Sequence, residues 1–291
     1  MKILLATDGS EYSEGAAKFL TRFNFSPKDE IIVLHVVAEI PYDDDYHAQI
    51  KHVIRRVAPK ILNASANILK PVKAKVSILE EDGYPDTTII DVAVSFDADL
   101  IVMGARGIKG IKSFLIGSVT RSVAINSPKP VLVTKPLPVE SPGKMNVLFA
   151  TDGSSSSYAT ARILTSMPFP DNTELTIMNV AWSAVSDIPE RFAIEIDEKI
   201  KEGVAKARAI EFEKSEKIIE QTKQHLRKSF AKINGITKGG DPSVEILNEA
   251  EILKADIIAA GSRGLKGIKG MLGSVSRRIL GYSKCPVLIG K

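Results

Sequence analysis

The chain has 291 residues, 44% hydrophobic and 25% charged, with a formal net charge of +4. That is the composition of a globular protein long enough for one large domain or two ordinary ones. No apolar run approaches the roughly 18 residues of a bilayer span. The charge is too small and dispersed for a nucleic-acid footprint, since residues 1–140 balance and the excess falls in the second half. A single cysteine, Cys285, excludes an internal disulfide framework and fits a reducing cytosol. The first residues read as a strand rather than a secretory leader. The expected location is cytoplasmic, with neither nucleic acid nor membrane as partner.

In chain order, residues 2–6 form a short continuous apolar run, the pattern of a strand buried on both faces. Residues 10–23 have helical spacing behind a polar cap, and 31–37 read as a second buried strand. Residues 46–69 place Ile50, Val53, Ile54, Val57, Ile61 and Ile68 on one helical stripe, in which Pro59 is expected to kink or break the helix. A strand at 76–79, a helix at 87–96, a strand at 100–103, a helix at 118–126 and a strand at 131–134 complete the unit. This alternation predicts an open parallel sheet with helices on both faces.

The pattern then recurs. ATDGS at 6–10 returns at 150–154, residues 99–123 match 256–279, and the Pro-flanked closing strands PKPVLVTK and KCPVLIGK end at Lys135 and Lys291. Two units of this size are domains rather than solenoid repeats. Their boundary falls in PLPVESPGK, a Pro-rich stretch that reads as a short stiff linker. Domain one is placed at 1–138 and domain two at 144–291. Domain two carries extra residues, mainly in a charged segment at about 189–230. There Ile196, Ile200, Val204, Ala207, Ile218, Leu226 and Phe230 form an apolar stripe. The segment reads as a long amphipathic helix covering the sheet, or as a partner-binding coil with a Lys- and Glu-rich outer face.

Ligands of open parallel sheets bind beyond the carboxyl ends of the strands. After the fourth strand comes Gly104-x-x-Gly107, nine residues, then Gly117-Ser118 opening a helix. Glycines let backbone N–H groups approach phosphate oxygens, and a helix N-terminus favours an anion. Ser118 and Thr120 offer hydroxyls; Arg106, Lys109 and Lys112 offer charge. A glycine-rich connector with solvated lysines is the plainer alternative. The loop is neither a Walker A motif nor the dinucleotide fingerprint, because it follows the fourth strand. At the end of the first strand, Asp8 reads either as the N-cap of the next helix or as a contact to a ribose hydroxyl or metal. His35 reads as a core histidine, and no nucleophile set stands at recognisable spacing.

These marks together resemble a tandem-domain universal stress protein. They are the strand-end Thr-Asp, the Leu34-His35-Val36 strand end, and the Gly-x2-Gly-x9-Gly-Ser/Thr loop. The resemblance implies two Rossmann-like domains, each an open five-stranded parallel sheet of order 3-2-1-4-5. It implies a bound adenine nucleotide: ATP, or its relatives AMP and ADP, with Mg2+ or Mn2+ accompanying it. It places Ala6, Thr7 and Asp8 on the ribose and adenine side and Val36 at the adenine through its backbone. Met103, Gly104, Arg106 and Gly107 would wrap the nucleotide; Gly117, Ser118, Val119 and Thr120 would hold phosphates. The matching residues of domain two are Ala150, Thr151, Asp152, Val180, Gly261, Arg263, Gly264, Gly273, Ser274, Val275 and Ser276. There Asn179 replaces His35, and the loop has eight residues between Gly264 and Gly273, a departure that bears on phosphate geometry. The resemblance also implies pairing through the last strands, 131–134 with 287–289 as an intramolecular pseudo-dimer, or as a homodimer. Three functions compete: a non-enzymatic nucleotide-responsive module read by a protein partner, a slow ATPase or autophosphorylating protein, and an interaction scaffold with degenerate sites.

Overall fold

The computed structural model describes residues 1–39, 45–107, 116–135, 144–181, 198–265 and 271–291. The linker at 136–143, Lys109, Lys112 and Ile196 lie outside them. The first half runs β1 (Lys2–Ala6), α1 (Glu11–Leu20), β2 (Glu30–Ala38), α2 (Asp45–Ile68), β3 (Lys75–Gly83), α3 (Pro85–Ser95), β4 (Leu100–Gly104), α4 (Ser118–Asn126) and β5 (Val131–Thr134). The second runs β6 (Asn146–Ala150), α5 (Ser155–Ser166), β7 (Glu174–Ala181), α6 (Glu198–Leu226), β8 (Lys232–Gly239), α7 (Pro242–Ile252), β9 (Ile257–Gly261), α8 (Ser274–Tyr282) and β10 (Val287–Gly290).

The strands form one ten-stranded sheet, β3-β2-β1-β4-β5-β10-β9-β6-β7-β8. The expectation of two separate five-stranded sheets is therefore corrected: each half keeps the order 3-2-1-4-5, but the halves are continuous. Pairing is parallel within each half and antiparallel at the junction, where Leu132 stands opposite Leu288. The physical reason is that β5 is buried at all four residues. Its outer N–H and C=O groups need partners, and β10 supplies them.

Alternation along the buried strands feeds two cores. Ile3, Leu5, Leu132 and Leu288 point to the face covered by α1, α2, α5 and α6. Leu4, Ala6, Val133 and Ile289 point to the face covered by α3, α4, α7 and α8. Each core runs through both halves. Phe23 packs on Phe169 at 5.5 Å between ring centroids, and Phe169 packs on Phe230 at 5.5 Å. Arg22 crosses the same junction. Its Nη2 donates to the Lys144 carbonyl at 3.1 Å, and its Nη1 stands 2.9 Å from Asp256 Oδ1, off the line of a hydrogen bond.

Two local expectations are revised. Pro59 neither ends nor splits α2, which is continuous from 45 to 68. Pro59 is exposed, so the carbonyl that loses its helical donor faces water, while buried Ala58 and Leu62 hold the helix to the sheet. In α6 the buried stripe is Ser215, Ile219, Thr222 and Leu226, while Ala207 is exposed and Val204 only half-buried. A 29-residue helix is about 43 Å long, against about 26 Å for the eight residues of β7. Only its C-terminal half can cover the sheet. The N-terminal half leaves Ile210 and Phe212 at 53% and 39% exposure.

The junction is closed by two lysines as well. Lys135, just after β5, donates from Nζ to the carbonyls of Leu280 (3.0 Å) and Ser283 at the end of α8. Lys291, just after β10, donates to Ala124 (2.7 Å) and Ile125 (3.1 Å) at the end of α4. Burial pushes both amines down from 10.5 to about 8. Between about pH 8 and 10.5 the native chain therefore holds fewer protons on them than the unfolded chain does. Their contribution to stability rises with pH across that window. Urea unfolding from pH 7.5 to 10 is expected to show this rise, reduced in Lys135→Met/Lys291→Met relative to wild type. A second expectation follows from the shared core: Leu288→Ala costs about 2–5 kcal/mol and accelerates amide exchange in β4 and β9 together, where independent halves would confine the effect to β9.

Candidate functional site

Register brings the predicted residues of each half to one place. Ala6 pairs with Met103 at the ends of β1 and β4, and Ala150 with Ala260 at the ends of β6 and β9. Gly9 and Gly153 then turn the chain into α1 and α5 with φ of +78 and +74, a conformation glycine adopts without strain.

The N-caps are Ser10 and Ser154, whose hydroxyls accept from Ser13 and Ser157 N–H. The N-cap reading of Asp8 is thereby corrected: its Oδ1 accepts from the backbone N–H and hydroxyl of Ser10. Asp152 Oδ1 likewise accepts from Ser154 N–H, and its Oδ2 accepts from Leu265 N–H at 3.1 Å in the glycine loop. The strand-end aspartate of the second half thus fastens the loop, one of its oxygens on the helix start and the other on the loop.

Four of the predicted polar residues are engaged beneath the site. Thr7 Oγ1 lies in a buried hydroxyl network with Ser13 (3.1 Å) and Ser65 (2.9 Å); Thr151 pairs with Ser157 at 3.0 Å. Thr120 and Ser276 donate their hydroxyl hydrogens to the Gly104 and Gly261 carbonyls at 2.9 and 2.6 Å. Their side chains hold α4 and α8 to the ends of β4 and β9 and have no second hydrogen to give. Ser118 and Ser274 are exposed; Val36, Val180, Val119 and Val275 are half-buried. Met103 is a core residue, so only its backbone can face a ligand. His35 Nδ1 lies 2.8 Å from the Thr7 carbonyl, which can only accept, so Nδ1 carries the proton. Asn179 Nδ2 donates to the Thr151 carbonyl at 2.6 Å. Histidine and asparagine therefore do one job in the two halves.

The glycines divide by role. A Cβ on Gly104 would stand 2.6 Å from the backbone carbon of Tyr12, and one on Gly261 would stand 2.9 Å from that of Ser156. These glycines let α1 and α5 lie directly on β4 and β9. A Cβ on Gly107 or Gly264 would strike the carboxylate of Asp8 or Asp152 at 2.3 or 2.9 Å. Gly117 and Gly273 differ. Their φ values are −62 and −60, and an added Cβ would meet nothing nearer than 3.5 Å. Nothing within the described protein requires glycine there. Both are N-caps without a side-chain hydrogen bond, so among the described residues the first N–H groups of α4 and α8 take no side-chain cap from them.

The eight-residue loop does not displace these ends. Gly117 N donates to Ala105 O at 2.9 Å and Gly273 N to Ser262 O at 2.8 Å. The nearest atoms to the two Cβ positions are the Cα of Arg106 and of Arg263, or in the second half equally the Ser262 carbonyl, all at 3.5 Å. The sites differ at Tyr12, whose ring lies 5.7 Å from the Arg106 guanidinium; its counterpart Ser156 pairs instead with Ser262 at 3.2 Å. Sequence reasoning passed over Tyr12, Lys135 and Lys291. The signal for the lysines was present, since both closing strands end in Lys.

The fold and the paired sites define a tandem α/β protein with a glycine at the N-cap of the loop-following helix in each half. A profile of the universal stress protein family matches residues 1–135 and again 145–291, and the chain belongs to that family. A universal stress protein of Mycolicibacterium smegmatis is 26% identical over 303 residues, covering 99% of this chain and 96% of the relative. Universal stress protein YxiE of Bacillus subtilis is 33% identical over 154 residues, 49% of this chain and 96% of the relative. The crystal structure of a universal stress protein from Archaeoglobus fulgidus covers 100% of this chain and 96% of its own, with a TM-score of 0.64 at 24% identity. That structure shares the fold.

The glycine roles predict opposite outcomes for one substitution. Gly104→Ala is expected to cost about 1–3 kcal/mol through the clash with Tyr12, and Gly117→Ala less than about 1 kcal/mol. Denaturant unfolding of the two variants checks the contrast.

Proposed function

We propose that each half binds an adenine nucleotide, ATP or its relatives AMP and ADP, and that the chain is a nucleotide-responsive module whose state a protein partner reads. The observation that carries this reading is the pair Gly117 and Gly273. Among the described residues neither a positive φ nor a packed neighbour calls for glycine at either position, whereas close approach of a phosphate to a helix N-terminus does. The N–H groups of Ser118, Val119 and Thr120, and of Ser274, Val275 and Ser276, would hold phosphate oxygens with the exposed Ser118 and Ser274 hydroxyls. Arg106 and Arg263 stand beside those ends to balance charge.

Asp8 and Asp152, at the strand ends against Gly107 and Gly264, would face a ribose hydroxyl. The half-buried ends at Val36 and Val180 offer the base its backbone contacts. Among the described residues no group of three or more His, Cys, Asp or Glu gathers to hold a metal. Mg2+ or Mn2+ would accordingly arrive with the phosphates as its main ligands. The β5–β10 pairing serves as an intramolecular counterpart of a dimer contact, setting two sites in one rigid sheet.

Thermal unfolding tests this. ATP at about 100 times its Kd is expected to stabilise the chain by about 2.7 kcal/mol per site. Gly117→Val/Gly273→Val should remove that rise without lowering the ligand-free midpoint by more than about 3 °C. An ATP response retained in this variant would exclude the assigned phosphate positions. Linear ADP release that vanishes in the same variant would place the slow ATPase reading first.

A further inference from the structure

The last turns of α4 and α8 contain no basic residue of their own. The C-terminal end of a helix gathers partial negative charge and carbonyls that lack donors. Each of these two helices receives its cation from the other half. Lys291 closes α4 through Ala124 and Ile125, and Lys135 closes α8 through Leu280 and Ser283. Both lysines are half-buried, and backbone bonds set each beside the loop arginine of its own half. Ala105 N–H donates to the Thr134 carbonyl and Ser262 N–H to the Gly290 carbonyl, both at 2.8 Å. Besides burial, the like charge of Arg106 and Arg263 lowers the pKa of Lys135 and Lys291. The thiol of Cys285 also lies near Lys135, but burial raises its pKa, so it stays neutral and does not balance the ammonium.

The connections are therefore crossed. Arg106 sits in the first loop; Lys135 links it to the far end of α8, whose near end is Gly273-Ser274 in the second site. Arg263, Lys291 and α4 repeat the arrangement in reverse. We propose that Lys135 and Lys291 are positioning residues that couple the two phosphate sites, each holding the phosphate-facing helix of the opposite half. The inference rests on the nucleotide reading above. A polyanion beside Arg106 offsets the like charge that Lys135 feels. That lowers the electrostatic cost of holding the ammonium there and strengthens its charge-assisted bonds to α8. Filling one site thereby braces the helix of the other, and the two sites bind with positive cooperativity.

The test isolates each site in the full-length chain. Gly117→Val leaves only the second site, and Gly273→Val only the first. ATP with Mg2+ is titrated calorimetrically into each background with and without Lys135→Met. Because Lys135 holds α8, its loss is expected to weaken ATP at the second site about three- to tenfold and to leave the first within about twofold. Lys291→Met should show the mirror pattern, weakening the first site and sparing the second. Lys135→Gln, which keeps a donor without the charge, should reproduce the crossed loss if Lys135→Met does not fold, and Lys135→Arg should restore affinity. A general structural role would weaken both sites equally, or the lysine's own half, and either outcome overturns the coupling while leaving nucleotide binding intact. Wild-type protein that takes up no ATP overturns both.

Discussion

Strand β5 has four residues, buried on both faces, with β4 along only one of its edges. An edge of that kind leaves a row of backbone donors and acceptors with neither water nor a partner, and that cannot persist in a folded chain. The antiparallel match of Val131, Leu132 and Val133 with Ile289, Leu288 and Val287 resolves it for β5 and β10 at once. Much of the remaining architecture depends on this pairing. It merges the cores on both faces and brings Phe23 to Phe169. It also brings the closing lysines within reach of helices that belong to the opposite half.

The same duplication lets the chemistry of the site be compared with itself. Where the halves agree, a position answers to a shared physical demand: Gly104 and Gly261 to helix-on-strand packing, Asp8 and Asp152 to the start of the helix and the glycine beside it, Thr120 and Ser276 to anchoring of α4 and α8 on the strand ends. Where they differ, the substitution conserves the bond, as with His35 and Asn179, or changes the surroundings of the loop, as with Tyr12 and Ser156. A nucleotide in the first site would lie near the Tyr12 ring and the Arg106 guanidinium, 5.7 Å apart. In the second it would lie near two serine hydroxyls.

Much of this was legible in the sequence because it is periodic or repeated. Apolar runs marked β1, β2, β4 and β5, alternation with helices gave a parallel sheet covered on both faces, and the order within each half came from the family resemblance. β3 runs on to Gly83 through Glu80, Glu81 and Asp82, past the apolar residues that marked it. What periodicity cannot carry is where two like units meet. β5 and β10 read like any buried strand, and their pairing was implied by the family resemblance rather than by the strands themselves. Pro59 does not break α2, because the packing of Ala58 and Leu62 on either side outweighs the lost backbone bond. The stripe in α6 misled for a geometric reason, since apolar spacing continues past the end of the sheet it would cover. At the site, residue type identified the loop but not the division of labour. Thr7 and Thr120 have hydroxyls suited to a ligand, yet each is committed to a neighbour that no spacing rule names.

The central claim is that both halves present a working phosphate site. Calorimetric titration of ATP with Mg2+ into nucleotide-stripped protein tests it most directly. The geometry predicts two binding events per chain, because the shorter second loop leaves Gly273 in the surroundings of Gly117. A folded protein that gives no heat of binding, and no ATP-dependent change in its unfolding midpoint, would contradict it.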